Sequence, residues 1–291
     1  MANQERHVGT ISMAGLKVGN VRFYQRDGKV FSRPASVGHI KNDRRGAQMV
    51  NRLRFSSVQL MWKCFKDELR NSFEEVRLGK SAYTTFMRLN HNNGVFLTKT
   101  QQGDRFQVVT PLHISEGSLE PIQQEMAYGQ QLLTGIALGN LVITAETTIG
   151  DFSRVIVDNN PGIKNGDELH FVAVRQLVAG GSPRCEVEQA VLQLDIFDAR
   201  SLLAVLGKYP VCNKDGFLAS KTGLERGCYA VYQSREEGQN VLVSSQMLVS
   251  NNDELISEYI SEAQFTLARN SFGKSSDPFV TSWKFETPTF E

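Results

Sequence analysis

Three rhythms of apolar and polar positions follow one another along this chain of 291 residues. The first occupies residues 7–34. Short alternating runs at 8–13, 18–24 and 29–33 are separated by Ala14-Gly15 and Arg26-Asp27-Gly28. Asp-Gly between two such runs predicts a β-hairpin, because its turn needs residues at positive φ. Pro34 has no N–H to donate, so it is expected to end the ladder.

The second rhythm is helical. Val50, Leu53, Val58, Met61, Phe65, Leu69, Phe73 and Val76 recur at steps of three to five, tracing one apolar stripe along a helix over 43–76. Asp43 is placed to cap its N-terminus and Gly79 to end the run. Ser81 can cap a second, short helix reaching Asn90, with Tyr83, Phe86 and Met87 as its apolar residues. Met49, Met61 and Met87 read as core residues, and Trp62 beside the stripe meets either the body or a partner. The cluster at 90–94 is a turn and a boundary.

The third rhythm is that of strands. Runs rich in Val, Ile, Leu and Phe at 106–112, 141–147, 154–158, 168–178 and 185–197 are punctuated at 159–162, 164–167 and 180–183. A second such stretch follows, with a hairpin of 227–234 and 240–250 across 235–238. Residues 251–263 are open between strand and short helix, and 279–285 read as a terminal strand. The expected class is α+β, mainly β: an N-terminal β-hairpin and helices (1–100), then two Ig-like β-sandwich units at 101–200 and 201–291.

Composition adds little until charge is resolved along the chain. Hydrophobic content of 41% and charged content of 22% describe a globular protein. No apolar run approaches the roughly 18–20 residues of a membrane helix. The polar N-terminus lacks the apolar stretch of a signal peptide, so a cytoplasmic or virion-associated location is expected. The net charge of +1 hides a division. Residues 1–90 carry 17 Lys/Arg and 7 Asp/Glu; residues 91–291 carry 15 and 24. A basic head on an acidic body suits an anion or the acidic body of a neighbour as partner.

The basic residues Arg33, Lys41, Arg44, Arg45, Arg52 and Arg54 fall within one short stretch whose only acid is Asp43. They can contact phosphates with the free N–H groups of a helix start, or form a solvated face that pairs with acids of the body or of a neighbour. Aromatic residues between them would favour single-stranded nucleic acid, and Phe31 and Phe55 are the ones close by. Phe55 also fits a core position. Tyr229, Tyr232 and Trp283 are the candidates for a sugar-binding platform.

Catalytic spacings are absent from the sequence. There is no GxSxG, HExxH, Walker A or GxGxxG, and the five histidines are scattered. The carboxylate pairs Asp167/Glu168 and Asp195/Asp198 fall at turns, where solvation is expected. Cys64, Cys185, Cys212 and Cys228 have no metal-like spacing and read as free thiols, with a Cys212–Cys228 bridge left open. No catalytic residue, metal or cofactor is expected.

Lys17-Val18-Gly19-Asn20-Val21, then Arg33-Pro34-Ala35-Ser36-Val37, Asn42, Ala47-Gln48, Arg52 and Phe55 form an ordered set of positions. With Tyr229-Ala230-Val231-Tyr232 and Val243-Ser244-Ser245-Gln246, this set resembles a family of uncharacterised proteins common in Bacteroidota, a domain of unknown function. Asp43 and Arg45 stand where the family often has Pro and Thr. The resemblance implies a hairpin-and-helix head followed by β-sandwich units, and assigns no catalytic residues. The expected function is a non-enzymatic structural or assembly protein that joins head to body as a homo-oligomer or with another structural protein. A phage-like virion or surface filament would suit it. The alternative is nucleic-acid binding through the basic helix.

Overall fold

The computed structural model describes residues 17–18, 21–26, 29–34, 46–74, 81–127, 130–207, 209–238 and 240–272. The strands expected at 8–13 and 279–285, Trp283 and the cap at Asp43 lie outside these residues. The chain divides into two units, residues 1–44 with 76–81, and residues 45–75 with 82–291.

Within the first unit, β1 (Lys17–Val18), β2 (Val21–Arg26) and β3 (Lys29–Pro34) form an antiparallel sheet in that order. Arg26 pairs with Lys29 around Asp27-Gly28, and Val21 with Pro34, the last paired residue. The expected hairpin is present with its two-residue connection.

The second unit opens with α1 (Gly46–Phe65), α2 (Ala82–Asn90) and the short α3 (Lys99–Gly103). Met49, Val50, Leu53, Val58, Met61 and Phe65 are all buried on one side of α1. The helix ends earlier than its periodicity predicts. Leu69 and Phe73 stay buried, but Phe73 forms a parallel bridge with Glu116, and the Glu74 N–H donates to the Glu116 carbonyl at 2.9 Å. Ser72 turns its hydroxyl onto the Leu69 carbonyl, a local bond that competes with helix continuation.

Next come β4 (His113–Ser115), β5 (Gln124–Ala127), β6 (Gln131–Ala137), α4 (Ile149–Asn159), β7 (Glu168–Ala179) and β8 (Ser182–Gln193). After α5 (Leu202–Leu206) lie β9 (Val211–Lys214), β10 (Phe217–Ser220), β11 (Gly227–Glu237) and β12 (Asn240–Val243). The described chain closes with β13 (Gln246–Met247), β14 (Val249–Ser250), α6 (Asp253–Ile260) and α7 (Glu262–Ser271).

Two sheets dominate. One has the order β5-β6-β10-β9; the other is β12-β11-β7-β8, with β14 also on β11. Both cross the boundary expected at residue 200, since β6 pairs with β10 and β7 with β11. Residues 101–200 and 201–272 therefore share their sheets instead of forming separate domains. The α+β, mainly β class holds.

The reason lies in β7 and β11. Leu169, Phe171, Ala173, Tyr229 and Val231 enter one core with α4 and the four-stranded sheet. Val172, Val174, Cys228, Ala230 and Tyr232 enter another with α1 and α2. The five-stranded sheet is thus covered on both faces at its centre, which accounts for the unbroken apolar run at 171–174. Tyr229 and Tyr232 are buried on opposite faces, so neither belongs to an exposed platform.

Other expectations are corrected. Residues 154–158 are helical, not extended. Thr148 caps α4 by accepting from the Asp151 N–H at 3.0 Å, and Ile149, Phe152 and Ile156 bury one side. The β-branched trio Val155-Ile156-Val157 has no partner strand there, so tertiary packing overrides its propensity. Residues 106–112 and 141–147 form no strand. Residues 251–263 become α6 and α7, broken at Ser261, whose hydroxyl accepts from the Gln264 N–H. At β7–β8, Gly180 and Gly181 take φ of +59° and +78°, the double positive-φ turn that Ala179–Ser182 pairing requires.

Candidate functional site

The sequence-predicted basic residues are not gathered by the described structure. Lys41, Arg44 and Arg45 lie outside the described residues. Arg33 is exposed on β3, in the first unit. Arg52 and Arg54 share α1 but diverge. Arg52 faces solvent, whereas the Arg54 guanidinium lies over the Phe96 ring, 5.7 Å from its centroid. Burial lowers the Arg54 pKa, and its Nε has no hydrogen-bond partner among the described residues. Arg54 is a packing residue of this helix.

Phe55 is not in the core: it is 44% exposed. The outer face of α1 presents Arg52, Phe55, Gln59 and Lys63, all exposed and spaced by three or four residues. It is a cationic stripe with one aromatic and no acid. Trp62, by contrast, packs inward, its ring centroid 5.9 Å from Tyr83 and 5.2 Å from Phe86. The opposite charge appears on α6 and the start of α7. Asp253, Glu254, Glu258 and Glu262 are all exposed there, and Arg226 approaches Glu254 at 3.8 Å.

The densest polar constellation stands at one end of β7 and β11. Asp167, expected to be solvated, is 1% exposed. Its carboxylate accepts from Arg235 Nε at 2.7 Å and Nη2 at 2.8 Å, from Gln233 Nε2 at 2.6 Å and from the Lys164 N–H at 2.6 Å. The paired Asp167 carboxylate raises the Arg235 pKa. This bidentate pair ties the 164–167 turn to β11.

Next to it, His170 Nε2 lies 2.8 Å from Ser234 Oγ, and Ser234 Oγ donates to Glu168 Oε2 at 3.2 Å. A Ser-His-Glu grouping invites comparison with a hydrolase triad, but the geometry differs. There the acid holds the ring nitrogen opposite the serine. Here Glu168 sits on the serine side, 3.4 Å from Nε2. The amide nitrogen of Gln189 faces Nδ1 at 3.0 Å and also donates to the Tyr232 hydroxyl at 3.1 Å. Nδ1 is therefore the acceptor and the imidazole proton resides on Nε2, leaving no lone pair there to activate Ser234. Burial lowers the His170 pKa to about 4, so the ring is neutral at pH 7. It stacks on Tyr232 with centroids 4.3 Å apart. This network clips β7, β8 and β11 together.

An open groove of about 390 Å³ is lined by Gln123, Glu125, Thr134, Lys214 and Phe217. Lys214 pairs with its neighbour Asp215 at 3.2 Å. Asp198, another of the four predicted turn carboxylates, binds Arg200, whose hydrogen bonds lower its pKa. All four cysteines are free thiols, so the Cys212–Cys228 bridge is not formed. Cys212 sits in the four-stranded sheet and Cys228 in the five-stranded one. Among the described residues no group of three His, Cys, Asp or Glu is placed to hold a metal ion, and no helix is long and apolar enough to cross a membrane.

Sequence reasoning missed the outer face of α1 as a unit because it weighed the arginines by proximity along the chain. The signal was present in the 52, 55, 59, 63 spacing. The His170–Ser234 and Asp167–Arg235 pairs carried no such signal, being 64 and 68 residues apart. In comparison with known proteins, the chain matches no family model, no curated protein and no solved structure.

Proposed function

We propose that this chain is a non-enzymatic structural or assembly protein whose copies join through complementary charge, as a component of a phage-like virion or surface filament. The observation that carries the reading is the pair of oppositely charged helix faces within the second unit. Arg52 and Lys63 mark the outer side of α1; Asp253, Glu254, Glu258 and Glu262 mark α6 and α7. Facing patches on two copies would set orientation and register. The division of charge along the chain supports it, with Lys41, Arg44 and Arg45 adding to the basic part of the sequence. The resemblance to the Bacteroidota family supports the host group.

The test is mass by light scattering on nucleic-acid-free protein across a salt series. Assemblies at low salt that dissociate as salt rises are expected. Arg52→Glu/Lys63→Glu should give monomers, as should Glu254→Lys/Glu258→Lys, and mixing the two variants should restore association. Monomers of the wild type at every salt would end this reading.

A second reading, nucleic-acid binding, draws on Phe55. An exposed ring between cations suits a stacked base beside phosphate contacts. It requires binding to a single-stranded oligonucleotide that weakens steeply with salt and is lost in Phe55→Ala and Arg52→Ala. Both changes leave the buried side of α1 untouched.

A further inference from the structure

Cys64 and Cys185 are far apart in sequence and meet in the fold. Cys64 is on the last turn of α1 and Cys185 is on β8, the edge strand next to β7. The Gln107 carboxamide spans both. Its Nε2 donates to Cys64 Sγ at 2.7 Å, and its Oε1 accepts from Cys185 Sγ at 3.4 Å and from the Cys185 N–H at 3.3 Å. Gln107 is itself fixed: its N–H donates to the Pro183 carbonyl and its carbonyl accepts from Gln176 Nε2. Both cysteines are partly exposed, so a small oxidant has access.

We propose that Cys64 and Cys185 are a redox-active dithiol that a hydroperoxide closes to a disulfide, covalently fastening α1 to β8. Gln107 Nε2 donates to Cys64 Sγ and stabilises a thiolate there. The neighbouring Cys185 thiol lowers the Cys64 pKa, with Gln107 adding to it, against burial and the nearby Glu68. Cys64 beside it and burial raise that of Cys185. The roles follow from the Gln107 carboxamide, which donates to Cys64 Sγ and accepts from Cys185 Sγ: Cys64 is the attacking sulfur and Cys185 the resolving one.

The chemistry balances. The Cys64 thiolate attacks one peroxide oxygen, the O–O bond breaks, and the departing hydroxide takes a proton to become water. Cys64 is then a sulfenic acid. The Cys185 sulfur attacks the Cys64 sulfur, the S–S bond forms, the S–O bond breaks, and a second water leaves with the Cys185 proton. Two thiols are oxidised by two electrons, and one peroxide is reduced to two waters. Cys228 is no competitor for Cys185. It lies on β11, two strands away, about 10 Å by strand spacing, and a disulfide needs Cα atoms within about 7 Å.

The experiment treats the reduced full-length chain with hydrogen peroxide, blocks remaining thiols, and maps peptides without reduction. The expected result is one linkage, Cys64 to Cys185, reversed by dithiothreitol, with Cys212 and Cys228 still blocked as thiols. The oxidised protein should melt at higher temperature than the reduced form. Cys185→Ser should instead accumulate a Cys64 sulfenic acid trapped by dimedone, and Cys64→Ser should leave Cys185 reduced. Peptide mapping of the wild type tests the linkage whether or not these variants fold. The proposal is overturned if Cys64 and Cys185 remain reduced under peroxide that oxidises free cysteine. Linkages no more selective than those of the urea-unfolded chain would overturn it equally.

Discussion

At the scale of single residues, Asp167 and His170 hold the end of the central sheet. Asp167 is almost fully buried with four donors on its carboxylate, and Arg235 is its charged partner. Asp167→Asn removes the negative charge and leaves a mostly buried guanidinium unpaired. A loss of about 3 kcal/mol is expected, measured by urea unfolding at pH 7. His170 makes stability depend on pH. In the unfolded chain its imidazole protonates near pH 6.5; in the folded protein burial delays this to about 4. Protonation therefore favours the unfolded state. The contribution of His170 is fully present above pH 6.5 and is lost as pH falls toward 4. Between pH 7 and pH 5 this amounts to roughly 2 kcal/mol. In His170→Gln the decline over that interval should shrink by about this amount, again read from urea unfolding. An unchanged pH dependence would mean that the ring is not held neutral.

At the scale of elements, α1 organises the helical side. Its backbone passes so close to Gly94 that a Cβ there would lie 2.5 Å from the Arg54 carbonyl oxygen and 2.7 Å from the Arg54 Cα. Backbone cannot yield as a side-chain tip can. Gly94→Ala should destabilise by about 1–3 kcal/mol through overpacking. Gly103→Ala at the end of α3, where a Cβ meets nothing within 4 Å, should be neutral in the same thermal melt. Such a contrast cannot be read from composition, since both residues are glycines near short helices. The apolar stripe from Val50 to Phe65 was legible because burial follows the 3.6-residue period. The end of α1 was not, because Leu69 and Phe73 keep the period while Phe73 is taken into a bridge with Glu116. Likewise 154–158 reads as strand by residue type and is helical because Thr148 caps it and Phe152 anchors it.

At the scale of the whole molecule, charge is the feature with consequences. If copies associate through the α1 and α6 faces, average mass should fall with salt. The charge-reversed pair described above should associate with each other and not with themselves. The same faces bear on the redox proposal: a Cys64–Cys185 bond would hold α1, and with it the exposed stripe of Arg52, Phe55 and Lys63, fixed to the sheet.

By itself the sequence determined what depends on near neighbours in the chain. That includes the hairpin pairing of 21–26 with 29–34, the Gly180-Gly181 turn, the buried stripe of α1, most of the long strands, expected at 168–178 and 185–197 and found at 168–179 and 182–193, and the division of charge. These follow from local φ preference, side-chain periodicity and simple counting. Only the tertiary structure decided what depends on partners far away. It joined β7 to β11 and β6 to β10 across the expected boundary, and buried Asp167 against Arg235. It turned Arg54 inward while leaving Phe55 outside, and brought Cys64 to Cys185 through Gln107. Each of these outcomes depends on which surfaces meet. Residues tens of positions apart carry no mark of their meeting until the sheets pack and exclude water from between them.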